Sequence, residues 1–172
     1  RVSKASLRIE AYGTVDETNT VVGLVRLHTG DRSLLKLDAM LMRIQNELFD
    51  LGADLCVPDR GEKLEYTPLR IAPTQYQRVE HEIDELNADL SPLRSFVLPA
   101  GHAAAAHLHQ ARTVCRRAER LIVALKAVGN EHVSEGAIAY INRLSDFFFV
   151  ASRWVNATTG VGDTLWVPGK TR

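Results

Sequence analysis

Between Ala104 and Leu125 apolar residues recur at steps of 4, 3, 4, 3, 4 and 3, through Leu108, Ala111, Cys115, Ala118 and Ile122. A helix makes a turn in about 3.6 residues, so this spacing keeps one stripe of its surface apolar. The stretch from Ala137 to Val155 repeats the device through Ile141, Leu144, Phe148 and Ala151. Two such seams, separated by a short turn that opens with Gly129-Asn130, predict an antiparallel helix pair. Upstream, helical signals run from about Leu7 to Thr29, with Gly30-Asp31 as the stop, and from Ser33 to about Cys56. Val57-Pro58-Asp59-Arg60-Gly61 ends the second helix and opens a loop reaching Pro73, which can sit in the entry turn of a third helix extending to about Leu90. No strand-like alternation of comparable length occurs. The expected fold is all-α, a five-helix up-and-down bundle, in a single domain spanning residues 1–172 with a non-helical tail from about Thr158. Trp166 in that tail is expected to dock on the body of the protein. Gly13 and Gly23 fall inside the first helix, where each costs about 1 kcal/mol against Ala; close packing or a bound ligand is the expected reason.

Composition narrows the function classes. Of 172 residues 45% are apolar and 24% charged, ordinary for a folded domain and against disorder. No apolar run is long enough for a membrane span. Lys plus Arg equals Asp plus Glu, 21 each, whereas a protein that coats nucleic acid is usually basic. Cys56 and Cys115 form no CxxC and no disulfide framework, so two buried thiols in a reducing, cytoplasmic setting are expected. The sequence opens on Arg1 rather than Met, which leaves an earlier segment open.

Candidate chemistry lies beside the seams. Arg112, Arg116 and Glu119 stand at i, i+4 and i+7, and project from one face of the fourth helix. Asn142, Asp146 and Phe149 repeat that spacing on the fifth. If the two faces meet, the guanidinium groups suit a polyphosphate and the amide suits a base or ribose hydroxyl. The plain alternative is a solvated face with pairs such as Arg116 to Glu119; nucleic-acid binding is a third reading. Phe148 belongs to the seam, whereas Phe147 and Phe149 are left without a place in it. Six histidines invite a metal, yet there is no HExxH motif and no Glu-x-x-His pair, so no metal site is expected. Walker A and GxGxxG loops are also missing.

Several strings carry a resemblance. They are Arg1-Val2-Ser3-Lys4, Ala11-Tyr12-Gly13-Thr14-Val15-Asp16-Glu17-Thr18-Asn19, and Gln45-Asn46-Glu47-Leu48-Phe49-Asp50-Leu51-Gly52-Ala53-Asp54. Ser95-Phe96-Val97-Leu98-Pro99-Ala100-Gly101 follows, then Ala111-Arg112-Thr113-Val114-Cys115-Arg116-Arg117-Ala118-Glu119-Arg120, and finally Tyr140-Ile141-Asn142-Arg143-Leu144-Ser145-Asp146-Phe147-Phe148-Phe149. In this order the chain resembles the ATP:cob(I)alamin adenosyltransferases of the trimeric, propanediol-utilisation type, over almost its whole length.

The resemblance implies transfer of the 5′-deoxyadenosyl group of ATP to the cobalt of a reduced corrinoid, with Mg²⁺ beside the nucleotide. It implies a homotrimer with active sites between subunits. ATP would be bound by Lys4, Arg116, Glu119, Arg120 and Asn142, with Arg112 close by. Asp16 would pair with Arg112 or Arg116 of the adjacent subunit, and these three would be the catalytic residues. Phe96 and Phe149 would form the apolar surface under the corrin ring, displacing the lower axial ligand so that cobalt is easier to reduce. A reductase and an adenosylcobalamin-dependent enzyme would be partners; nucleic acid and membrane would not. The family carries a Thr/Gly/Asp-rich phosphate loop upstream of the Arg-Val-Ser-Lys string, and this sequence starts after it; a chain lacking it should bind ATP poorly. Ala100 stands where the family often has Gly. A non-catalytic carrier of adenosylcobalamin would share the same site.

Overall fold

The computed structural model describes residues 3–58 and 65–172. Five helices make the body: α1 (Leu7–Arg26), α2 (Leu35–Cys56), α3 (Pro73–Asn87), α4 (Ala103–Lys126) and α5 (Glu135–Thr158). A short 3-10 turn, Arg32–Leu34, leads into α2. The Asp59-Arg60-Gly61 part of the expected loop, and Arg1-Val2, lie outside the described residues. The helix ends are set by local chemistry. Ser6 caps α1 by accepting from Ile9 N–H, and Ser134 caps α5 by accepting from Ala137 N–H at 3.1 Å. Pro73 opens α3, where Gln75 Oε1 accepts from Ala72 N–H at 2.8 Å. The first helix stops at Arg26 rather than Thr29, because Thr29 turns back: its hydroxyl meets the Arg26 carbonyl and Asp38 Oδ1. The third stops at Asn87 rather than Leu90.

Around the bundle, α1 packs on α2 and α4, α4 on α5, and α5 on α3. Both predicted seams face inward: Ala104, Leu108, Ala111, Cys115, Ala118, Ile122 and Leu125 are buried, as are Ala137, Ile141, Leu144, Phe148, Ala151 and Val155. Each fully buried leucine, such as Leu41 or Leu108, contributes about 1.5–3 kcal/mol through the area it withdraws from water. Phe147 also belongs to the core, edge-on to Phe148 at 6.0 Å.

The α2–α3 seam is polar instead. Glu47, almost fully buried, accepts from Arg43 and Arg78 at 3.2 Å and from the Tyr140 hydroxyl of α5 at 3.0 Å. Arg43 also pairs with Glu82 of α3. Burial raises Glu82 above the usual carboxylate range despite Arg43, and burial together with the Glu47 charge pushes the Tyr140 phenol well up. A second buried carboxylate, Asp54, ties the end of α2 to Arg70, the Ile71 N–H and the Ser134 hydroxyl. A buried charge is tolerated only when paired and hydrogen-bonded, and both carboxylates meet that condition.

The cysteine expectation holds by half. Cys115 is buried, and burial raises its thiol well above the ordinary range. Cys56 is exposed, because it is the last residue of α2 and faces an open groove rather than the core.

Candidate functional site

The segment between α3 and α4 and the tail after α5 meet across one end of the bundle. Val97 and Leu165 form an isolated antiparallel bridge, flanked by Trp166 N–H to Phe96 O and Leu98 N–H to Thr164 O, both 2.8 Å. The Ser95 hydroxyl donates to the Trp166 carbonyl. Trp166 docks on the Phe96 ring, 5.9 Å between centroids, as expected for a tail aromatic that needs a surface. Asn156, fully buried on α5, fixes the base of this segment: its Oδ1 accepts from His102 N–H at 2.9 Å and its amide donates to Ala100 O at 3.2 Å. Gly101 passes directly over that amide with φ at 98°, a conformation and an approach that only glycine allows.

Against this segment opens a cavity of about 470 Å³, lined by Leu93, Arg94, Ser95, Phe96, Val97, Arg112 and Phe149. Three residues singled out in the sequence therefore share one wall system: Arg112 from α4, Phe149 from α5 and Phe96 from the preceding loop. Phe96 is 76% exposed, an aromatic face without cover on one side. Arg112 is half-buried with its Nε among the buried polar atoms that have no partner. Burial, and then the Arg116 charge one turn along, lowers its pKa from the ordinary guanidinium value. A half-buried guanidinium at a cavity wall has the charge and the donor geometry that suit an anion.

One turn further on, Asn142 donates to Glu119 Oε1 at 2.7 Å, so the polar faces of α4 and α5 do converge. The Arg116–Glu119 pair of the plain alternative does not form, since the amide takes Glu119 and Arg116 stays exposed. Arg120 is exposed and donates to the Arg116 carbonyl at 3.0 Å, lying along the helix. Arg117 pairs with Glu17 of α1, and Asp146 with Arg143 at 3.2 Å.

Two sequence candidates stand elsewhere. Asp16 lines a different cavity, about 430 Å³, between α1 and α2, with Tyr12, Gly13, Leu48, Phe49 and Gly52 among its walls. A Cβ at Gly13 would meet nothing within 4 Å, so no packing inside this chain requires the glycine; Gly13 instead keeps that groove open. Lys4 is exposed just before α1, at the end where Arg8 pairs with Glu131 beyond α4. Arg112 lies 14 residues back along α4 from Lys126, roughly 21 Å at 1.5 Å per residue. Within one chain, neither Lys4 nor Asp16 joins the Arg112 cavity. Sequence reasoning did not single out Arg94 or Val97, which the loop carries into the wall, nor His109, which lies behind it.

Fold and site together define a helical-bundle protein with a cavity walled by arginine and aromatic side chains. The chain matches the sequence profile of the family described as cobalamin adenosyltransferase over residues 1–155, and it belongs to that family. It is 43% identical to the corrinoid adenosyltransferase of Bacillus subtilis (strain 168), over 95% of this chain and 81% of that one. It is 46% identical to the corrinoid adenosyltransferase of Mycobacterium leprae, over 98% and 87%. Among solved structures, it superposes with a TM-score of 0.84 on a Phe-to-Ala variant of the PduO-type ATP:corrinoid adenosyltransferase from Lactobacillus reuteri complexed with cobalamin and ATP. There the identity is 34%, covering 96% of this chain and 88% of that one. An Arg-to-Lys variant of the same enzyme, complexed with ATP, gives a TM-score of 0.87 at 34% identity, covering 96% and 90%.

Proposed function

We propose that this protein transfers the 5′-deoxyadenosyl group of ATP to the cobalt of a reduced corrinoid, and that the Arg112–Phe96–Phe149 cavity is where the two substrates meet. The observation that carries the site assignment is the sharing of one cavity by a half-buried arginine and two aromatic side chains from separate elements. The chemistry asks for both. The Co(I) electron pair forms the Co–C5′ bond as the C5′–O bond breaks, and triphosphate leaves with the bonding pair. Arg112 and Arg116 would offset the charge gathering on that leaving group. The Glu119–Asn142 pair, a carboxylate and an amide already fixed to each other, would read nucleoside hydroxyls or the base, with Arg120 at the outer edge. Phe96 and Phe149 would receive the corrin face and exclude the lower axial donor, which bears on the metal potential. Holding both substrates at near-attack distance supplies the rest.

Mg²⁺ enters this reading as part of MgATP. Phosphate oxygens of the nucleotide would be among its ligands. A reductase would deliver the electron that makes Co(I), and an adenosylcobalamin-dependent enzyme would take the product.

The active unit in this reading is a homotrimer. Asp16 and Arg112 line separate cavities of one chain, so the expected pairing of Asp16 with Arg112 or Arg116 requires a second copy. The α1–α2 groove is mostly apolar and carries Phe49 at 69% exposure, a surface suited to burial against a neighbour. Lys4 would reach a phosphate across the same junction. The test is turnover by Arg112→Ala and Phe149→Ala proteins, with binding of ATP and of cob(II)alamin measured separately. The reading expects Arg112→Ala to lose kcat/KM with corrinoid binding kept, and Phe149→Ala to lose corrinoid binding with ATP binding kept. Normal turnover by both variants would remove the cavity from the mechanism.

A further inference from the structure

His109 is 2% exposed and lies outside the cavity lining, yet its ring reaches Phe149 of that lining and its Nε2 reaches Ser152, one turn beyond. Its ring stands edge-on to the Phe149 ring, with centroids 6.2 Å apart and planes at 67°. Its Nε2 is 3.2 Å from the Ser152 hydroxyl, which itself makes a shorter contact, 2.7 Å, to the Phe149 carbonyl. A hydroxyl has one proton to give. The shorter contact takes it, so the Ser152 oxygen accepts from His109 and the imidazole proton sits on Nε2. That leaves Nδ1 as a bare acceptor, and Nδ1 is buried without a partner. Three positions on, along the same face of α4, the Nε–H of Arg112 is a buried donor without a partner. Two orphaned groups of opposite sense lie on adjacent turns of α4, one on a residue of the cavity wall and one on the residue behind it. Each costs free energy while unmade, and neither has another partner among the described residues. Burial and then the Arg112 charge lower the His109 pKa, against a smaller pull from Asp163, which keeps Nδ1 unprotonated and able to accept.

Resting on the site reading above, we propose that His109 is a positioning residue: its ring edge sets the Phe149 ring, and its Nδ1 takes the Arg112 Nε–H, directly or through one water, when substrates fill the cavity. One imidazole thereby fixes the apolar floor and the cation beside it in a single register. Its two contacts can be removed one at a time. Phe at position 109 keeps a ring edge and has no acceptor, whereas Asn keeps an acceptor near Nδ1 and has no ring.

The experiment compares His109→Phe and His109→Asn with Arg112→Ala and Phe149→Ala, all in the full chain. It reads kcat and KM for ATP, and separately the affinity and spectral shift of cob(II)alamin in the presence of MgATP. His109→Phe is expected to keep the cob(II)alamin shift and to lose kcat by about 10- to 100-fold, the loss that follows from an arginine misplaced by about 1 Å. His109→Asn is expected to keep kcat at saturating corrinoid and to weaken corrinoid binding by about two- to twelve-fold, the range of one aromatic edge contact. If the two variants lose both readouts together, in proportion to a fall in melting temperature, His109 is a core residue only and the proposal fails. If both behave as wild type while Arg112→Ala and Phe149→Ala are impaired, the site stands and the proposal fails. If Arg112→Ala and Phe149→Ala are themselves unimpaired, the site reading has failed and the proposal goes with it.

Discussion

Replacing Gly101 by Ala should unsettle the loop that carries Phe96. Two costs can be worked out. A non-glycine residue at φ 98° is strained by about 1–3 kcal/mol. A Cβ there would overlap Asn156 Oδ1 and lie 2.7 Å from its Cγ and Nδ2. Asn156 is fully buried and bonded to both sides of the glycine, so it cannot swing away without freeing His102 N–H and Ala100 O. Overpacking of this kind costs about 1–3 kcal/mol, close to the roughly 2 kcal/mol lost if both hydrogen bonds break instead. With about 2 kcal/mol for the contact, the sum is about 3–5 kcal/mol. In a domain of this size 1 kcal/mol moves the melting temperature by about 2–4 °C, so a fall of about 6–20 °C is expected. Thermal melting by circular dichroism reads it, and cob(II)alamin titration reads the displacement of Phe96. In a Gly101→Ala, Asn156→Ala background the overlap is gone, so the drop relative to Asn156→Ala alone should shrink to the φ strain. A Gly101→Ala protein that melts within 2 °C of the parent and binds corrinoid equally well would refute the reasoning.

Other perturbations follow from the same geometry. Tyr140→Phe removes a buried hydrogen bond to the Glu47 carboxylate; with Arg43 and Arg78 still in place it should cost about 1.5 kcal/mol in urea denaturation, with turnover unchanged. His109 has a folded pKa below its unfolded value of about 6.5, so the unfolded chain binds the proton more readily. Its contribution is therefore complete above about pH 6.5 and is lost as pH falls toward the folded pKa. Urea midpoints should drop between pH 7.5 and 5.5, and His109→Phe should flatten that drop. Trp166→Ala removes an aromatic contact worth about 0.5–1.5 kcal/mol, and hydrogen exchange at the Leu98 and residue-166 amides should quicken while α4 amides stay protected. If sites are shared between copies, co-refolding Asp16→Asn with Arg112→Ala chains should restore activity in about a quarter of the sites, from two individually impaired proteins. Activity no higher than the mean of the two would count against shared sites.

The two long seams made α4 and α5 legible, because a 4, 3 alternation has few other uses. It could not place Phe147 or Phe149, since only packing shows that Phe147 turns into the core and Phe149 faces a cavity. Helix ends moved by up to three residues where a side chain such as Thr29 folded back on the last turn. The burial of Glu47 and Asp54 gives no local signal: Arg43 and Glu47 at i, i+4 read as a solvated pair on α2, and the partners that bury the two carboxylates, Arg78, Tyr140, Arg70 and Ser134, lie on other helices and loops. His109 gives no local signal for the same reason: its contacts are to Phe149 and Ser152 of α5, and without a metal motif a lone histidine on a helix carries none. Spacing puts polar faces on α4 and α5 and leaves open whether they meet; packing joins them through Glu119 and Asn142 rather than pairing Glu119 with Arg116. Cys56 reads as a core residue by its place in a helix, yet the last turn of α2 opens on the groove beside Asp16.

The most direct test is to mix the protein anaerobically with cob(II)alamin and MgATP, record the visible spectrum, and then add a strong reductant. The account predicts a shift toward four-coordinate Co(II) that needs Phe149, followed by the light-sensitive spectrum of adenosylcobalamin and one triphosphate per corrinoid, at a rate that needs Arg112. A corrinoid shift with no adenosylcobalamin would point to a carrier or to a chain without the phosphate loop, and no spectral change at all would contradict the assignment of the cavity.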